Sequence, residues 1–214
     1  MKKITVILIV VMLGLIACTE KGSLIVKNET ARDAWITVDG SNTTLVSGAQ
    51  YDRNWDLNSS IFGSEEKDVE VVYSGYHVFS DTTKLKIKAG STKNYEIDAS
   101  GGCIQLNNTS TSLTIIEVYI SPSEDDFWGD NDLAGTVAAG QSVAWTVSQG
   151  NWDIWVVDDS NGESKSYDNM IGLDETEEFN YDGFKNKDSS TLTKSLNALK
   201  YNKTDKIYKL EIRN

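Results

Sequence analysis

The feature that most constrains this chain is that it repeats itself. Leu24-Ile25-Val26-Lys27-Asn28 overlays Ile104-Gln105-Leu106-Asn107-Asn108 at an offset of 80 residues. The same offset pairs Trp35-Ile36-Thr37-Val38 with Ile115-Ile116-Glu117-Val118. Further on, the segment from Ile87 to Tyr95 falls on that from Ile171 to Phe179, at an offset of 84. Val69 to Tyr73 shares its alternation with Trp152 to Val156. Identity is low, but apolar positions agree in place and order, so one supersecondary plan serves twice. The overlay predicts two tandem domains, 23–101 and 102–190. A chain of 214 residues is long enough for both to bury a core.

Both repeats are written in period-2 segments. Val143, Trp145 and Val147 share one face, with Ala144 and Thr146 on the other. Trp152-Asp153-Ile154 runs into Trp155-Val156-Val157, apolar on both faces, as expected of a central strand covered on both sides. Gly, Asn, Asp and Ser break these runs at Asp39-Gly40, Ala139-Gly140 and Asp158 to Gly162. Short alternating strands between such turns predict an all-β fold, two immunoglobulin-like or fibronectin-like antiparallel sandwiches in a row. Helical periodicity is confined to a weak stretch at 189–199. In the tail, 191–214, Leu199 to Thr204 overlays Ile104 to Thr109, and Ile207 to Ile212 overlays Ile115 to Ile120. The tail therefore reads as a hairpin: either a third repeat cut short, or two strands that pair with a free edge of repeat two. A hairpin alone is marginal in water and has to dock.

The N-terminus carries an address. Lys2 and Lys3 precede an apolar run from Ile4 to Leu13, closed by Leu15-Ile16-Ala17-Cys18. Such a run is short of the ~20 apolar residues that a membrane span needs, and the order of charge, apolar run and small residue is that of an export signal. The segment resembles the lipobox of bacterial lipoproteins. That resemblance implies cleavage of residues 1–17 as a signal peptide and lipid on the sulfur and amine of Cys18. It implies a membrane partner through that anchor and, with Thr19 in the next position, an outer-membrane location in the cell envelope. Thr19 to Gly22 completes a short polar tether, 18–22. With Cys18 lipidated no second cysteine remains for a disulfide with Cys103, and the alternation of Cys103 with Ile104 and Leu106 points to a packed strand position.

Charge and composition narrow the function classes. The chain has 20 Lys plus Arg against 32 Asp plus Glu, a formal net charge of −12. An acidic surface repels phosphate backbones, which argues against nucleic acid as a partner. The single histidine, His77, leaves no His-rich zinc site and only one residue for a Ser-His-Asp triad. No P-loop, dinucleotide fingerprint or nucleophile elbow occurs. No catalytic residues are expected. Asn-x-Ser/Thr triplets at Asn28, Asn42, Asn58, Asn107, Asn108 and Asn202 are taken as turn and strand-edge chemistry.

Repeat two adds a signature: Ile115, Val118-Tyr119 and Ser121-Pro122, then Trp128-Gly129-x-Asn131-x-Leu133, Gly140, and Trp152-Asp153-Ile154 through Asp158. This resembles a small, uncharacterised β-domain of secreted bacterial proteins, built around a Trp-Gly-x-Asp/Asn-x-Leu loop. The resemblance implies fold and export without catalytic residues. Repeat one lacks the loop. Trp128 and Leu133, large and apolar amid Asp, Gly and Asn, are expected to pin it to the sandwich, each worth roughly 1.5–3 kcal/mol when fully buried.

Two binding hypotheses stand beside this structural one. Glu124, Asp125, Asp126, Asp130 and Asp132 in the acidic loop 124–132, with Asp158, Asp159 and Asn161 in a later turn, are candidate calcium ligands, although their spacing is not that of an EF-hand. Calcium is the one cofactor considered. Trp128, Trp155 and Tyr119 are the candidate ligand-binding aromatics for a glycan. Trp145 and Trp152 are expected to point inward, and Trp155, sharing a face with Asp153 and Val157, to be the exposed ring. The expectation is a non-catalytic envelope protein acting as an interaction or structural module with a protein or glycan partner. A surface protein that binds carbohydrate or calcium is the alternative, and an enzyme is third.

Overall fold

In the computed structural model of the chain, residues 18–60, 63–183 and 210–213 are described, and they hold strands and turns with no helix among them. The chain divides into two compact units, residues 1–74 with 80–98, and residues 75–79 with 99–214. The division at 98/99 lies close to the expected 101/102, while the short segment 75–79 counts with the second unit.

The first unit holds β1 (Cys18–Asn28), β2 (Ala34–Val38), β3 (Ser41–Leu45), β4 (Gln50–Ser60), β5 (Gly63–Ser64), β6 (Glu66–Gly75), β7 (Asp81–Lys88) and β8 (Thr92–Ile97). One sheet runs β5-β4-β1-β8 and the other β3-β2-β6-β7. The alternation explains the core. Leu24 and Val26, Ile36 and Val38, and Val69 and Val71 are buried while the residues between them face out. Asp39 (φ 46°) and Gly40 (φ 77°) both take the left-handed conformation between β2 and β3, the two-residue turn whose twist suits a hairpin. β1 corrects one expectation: it begins at Cys18, paired with Ser59 of β4, so residues 18–22 are strand and no tether.

The second unit repeats the plan with β9 (Gly102–Asn108), β10 (Ile115–Pro122), β11 (Ser142–Val147), β12 (Gly150–Asp158), β13 (Glu163–Ile171) and β14 (Thr176–Tyr181). β14, β9 and β11 form one sheet and β10, β12 and β13 the other. Trp145 and Trp152 point inward as expected, among Leu106, Val118, Ile154 and Ile171. Each sandwich also departs from a purely antiparallel plan. β1 pairs in parallel with β8, and β9 with β14, because the first and last strands of each unit run the same way in one sheet. A further strand, β15 (Leu210–Arg213), pairs with the free side of β11, from Ala144↔Arg213 to Val147↔Leu210. Residues 210–213 of the tail thus lie on the edge of the sheet that holds β9, β11 and β14. Their companion at 199–204 and the stretch 189–199 lie outside the described residues.

The repeat also shows in a buried polar corner. Asn28 Nδ2 donates to the carbonyls of Arg32 (2.8 Å) and Leu45 (2.9 Å), and its Oδ1 accepts from Thr30 N (3.0 Å) and Oγ1 (2.8 Å). At the same offset of 80, Asn108 Nδ2 donates to Leu113 O (2.8 Å) and Val137 O (2.8 Å), and Oδ1 accepts from Ser110 N (3.2 Å) and Oγ (2.6 Å). Both Asn side chains are buried. The Asn-x-Ser/Thr triplets at these two positions are therefore the corner itself, where the first strand of each unit leaves its sheet.

Candidate functional site

The three aromatics singled out in repeat two, Tyr119, Trp155 and Trp128, come together on the outer face of the β10–β12–β13 sheet. Tyr119 and Trp155 are opposite each other in the β10–β12 register, and their rings stack at 4.8 Å. Lys165 faces Trp155 from β13, its Nζ 4.2 Å from the ring centroid, and pairs with Glu163 at 3.2 Å. Trp128 closes the cluster, 5.8 Å from the rings of both Trp155 and Tyr167. Tyr119 donates its hydroxyl to Glu117 (2.9 Å). Burial first, and then that carboxylate, push the Tyr119 hydroxyl up to about 12.

The Trp-Gly-x-Asn-x-Leu residues each have a physical task. β10 is an edge strand, and the segment that follows it returns along the open side. Asp132 N donates to Val118 O (2.7 Å), and the Asp132 carboxylate accepts from Ile120 N (2.8 Å). Asn131 Oδ1 accepts from Val118 N and from Leu133 N, each at 3.0 Å. Side chains thus stand in for a missing strand and cover the edge. Trp145 Nε1 ties the loop inward through Asp132 O (3.2 Å), and Leu133 packs against the core. Gly129 turns at φ 80°, where a side chain is disfavoured, so that Trp128 reaches the sheet with 2% of its surface exposed. The expected anchoring role of Trp128 and Leu133 is met.

That cover overturns one expectation. Trp155 is 8% exposed and not an open ring, because Trp128 and Tyr119 lie against it. With Trp145 and Trp152 also inside, the aromatics of β11 and β12 present no open platform. Trp155 Nε1 is buried without a hydrogen-bond partner, which costs roughly 1–3 kcal/mol. Trp155→Phe removes that unsatisfied donor while keeping a stacking face. It is expected to change stability by less than about 1 kcal/mol, where a buried Trp in a satisfied setting costs more. Equilibrium urea unfolding checks this, and a loss above ~2 kcal/mol would contradict it.

The acidic residues do not converge either. Asp125 and Asp132 are buried, Asp126 and Asp130 exposed, and Asp132 is occupied by the β10 amide. Among the described residues no three His, Cys, Asp or Glu side chains form a group able to hold a metal. The later acidic turn is likewise filled. Asp158 accepts from Ser160 N (2.8 Å), Ser160 Oγ (2.7 Å), Gly162 N (2.8 Å) and the Tyr181 hydroxyl (2.5 Å). Asp153 takes Ser123 Oγ and Asp168 N.

Asp158 gives a pH prediction. Burial alone pushes its carboxyl up, but the bonds from Tyr181, Ser160 and Gly162 outweigh burial and leave it below the ordinary value. A carboxyl lowered in the folded state stabilises above its unfolded pKa, about 3.9, and loses that contribution as pH falls through the folded value. The melting temperature is expected to drop below about pH 4, and Asp158→Asn to flatten that acid limb while lowering the plateau. An unchanged acid limb in Asp158→Asn would contradict the assignment.

His77, in the segment 75–79 of the second unit, is 1% exposed; Nδ1 donates to the Asp174 carboxylate (2.8 Å) and Nε2 meets Thr176 Oγ1 (2.8 Å). Cys103 is buried in β9, and Cys18 is exposed at the start of β1. Sequence patterning did not point to one feature, a cleft of about 550 Å³ between β13 and β14, bordered by Ser164, Ser166, Tyr167, Asn180 and Tyr181.

No protein-family model matches the chain, and no curated protein matches it. Among solved structures it is similar to the Bacillus anthracis TIE protein, with 12% identity and a TM-score of 0.31, over 77% of this chain. The chain spans 34% of that protein's length.

Proposed function

We propose that this chain is a non-catalytic, lipid-anchored module of a bacterial cell envelope, held to the outer membrane through Cys18 and offering its two sandwiches to a protein or glycan partner. The observation that carries this is the order Lys2-Lys3, apolar run, Leu15-Ile16-Ala17-Cys18, with Cys18 exposed at the head of β1. Acyl chains contribute ~0.8 kcal/mol per buried CH₂, so such an anchor needs no basic patch and suits an acidic chain. The polar groups support a structural role. Asp132, Asp153, Asp158 and His77 each close a turn or an edge through the bonds described above.

The test is metabolic labelling of cells that express the full chain with a clickable fatty acid. Label on the wild type and none on Cys18→Ser is expected, and an unlabelled wild type overturns the reading. Protease treatment of intact cells then assigns the face. Digestion places the sandwiches outside, where capture of a partner is favoured. Protection until the envelope is opened places them in the periplasm, where an assembly role is favoured.

A further inference from the structure

We infer that the first sandwich lies directly on the lipid surface, with its β1–β4–β5 end against the headgroups and no flexible linker between anchor and domain. The inference rests on the proposed acylation of Cys18 and adds to it a geometry and a contact surface. The residues that follow the anchor are built into the sheet. Cys18 pairs with Ser59, Thr19 with Asn58 and Gly22 with Trp55. Lys21 O accepts from Gly90 N (3.1 Å), and Ser23 N donates to Ser91 O (2.8 Å). Gly22 is packed so closely that a Cβ there would stand 2.7 Å from Leu57 Cδ1 and 2.8 Å from Ile87 Cγ2. Glu65 holds the neighbouring ribbon, accepting from Asn58 N (2.8 Å) and Nδ2 (3.0 Å). A segment held at each of these points cannot also serve as slack.

The composition of this end suits the partner. Beside Cys18 stand Thr19, Asn58, Ser59, Ser60, Gly63 and Ser64, which carry no charge, with the Glu65 carboxylate next to them bonded to Asn58. Hydroxyl and amide groups hydrogen-bond to headgroup oxygens, and the Glu65 carboxylate beside them is taken up by the two Asn58 donors. β1 rises about 3.3 Å per residue, so its far end at Asn28 stands roughly 33 Å from Cys18. The acyl chains therefore set the orientation of the unit as well as its location.

The full acylated chain, reconstituted in vesicles of phosphatidylcholine and phosphatidylglycerol doped with a nitroxide-headgroup lipid, tests this. Cys103 is buried and Cys18 acylated, so one introduced thiol takes one fluorophore. Ser64→Cys marks the near end. Val46→Cys, exposed in the turn beside Asn28, marks the far end. At least threefold stronger quenching at Ser64 than at Val46 is expected, and ten Gly/Ser residues inserted between Cys18 and Thr19 should abolish the difference. Equal quenching at the two positions, with Cys18 acylated by mass spectrometry, overturns this inference alone. An unacylated Cys18 overturns the anchoring reading on which it rests.

Discussion

Replacing Asn108 by Ala is expected to destabilise the second unit by about 3 kcal/mol or more. The change strips two donors from the carbonyls of Leu113 and Val137 and one acceptor from the amide and hydroxyl of Ser110, all inside the fold. Each group keeps one other bond, Leu113 O from Ser110 Oγ, Val137 O from Ile115 N and Ser110 N to Tyr181 O, so the loss is that of four buried hydrogen bonds. At ~0.5–1.5 kcal/mol each they sum to about 3 kcal/mol or more, and water cannot easily replace a side chain with almost no exposed surface. Asn108→Asp separates hydrogen bonding from packing. It keeps the shape but sets a carboxylate oxygen against two carbonyl oxygens, so it should destabilise at least as much as Ala. Unit two contains Trp128, Trp145, Trp152 and Trp155, so urea unfolding of the full chain followed by tryptophan fluorescence reads it strongly. A loss below about 1 kcal/mol for both variants would show that the corner is not what holds β9 to its neighbours. Asn28→Ala should have the same effect in unit one, since the bonds are the same in kind.

Trp128→Ala is expected to cost about 3–5 kcal/mol, the range for removing a large buried aromatic. The loop would lose its pin, Trp155 would lose one of its covering rings, and the open side of β10 would depend on Asn131, Asp132 and the Ile115–Val137 bridge. Three signs should appear together: a lower urea midpoint, red-shifted tryptophan emission and faster hydrogen exchange at the amides of Val118 and Ile120. Trp128→Phe keeps part of the ring contact and should cost less. If Trp128→Ala unfolds at the wild-type midpoint, the loop is ornament and the sheet face stands without it.

The local features were legible in the sequence and the non-local ones were not. Alternation gave the strands, and the doubly apolar run Trp152 to Val157 correctly marked β12 as a central strand with both faces covered. The face of Trp155 was also legible, but not what lies on it, because Trp128 comes from a loop more than twenty residues earlier. The same holds for Asp132. Its charge suggested a cation, and only the fold shows that its carboxylate serves the Ile120 amide. Residues 18–22 looked like a tether because they are polar, yet a strand needs apolar residues only where it meets the core, and their partners in β4 lie between Trp55 and Ser59, far along the chain. The buried corners had a signal that was passed over. An Asn followed two residues later by Thr or Ser occurs at 28 and again at 108, in the register of the repeat, and recurrence at that offset distinguishes it from ordinary turn chemistry.

The parallel pairing of first and last strands in each unit has a kinetic side. β1 can find β8 only after every strand between them exists, and β9 must likewise wait for β14. Hairpins such as β2–β3 and β6–β7 can form early, but closure brings together residues about seventy positions apart. High contact order of this kind slows folding into the millisecond-to-second range typical of sandwiches. Until the closing strand arrives, β1 and β9 keep one side without a partner, so a chain stopped short of residue 97 or 181 would present an unfinished sheet to its neighbours. The first strand of each sandwich therefore stays half-paired until its parallel partner is made.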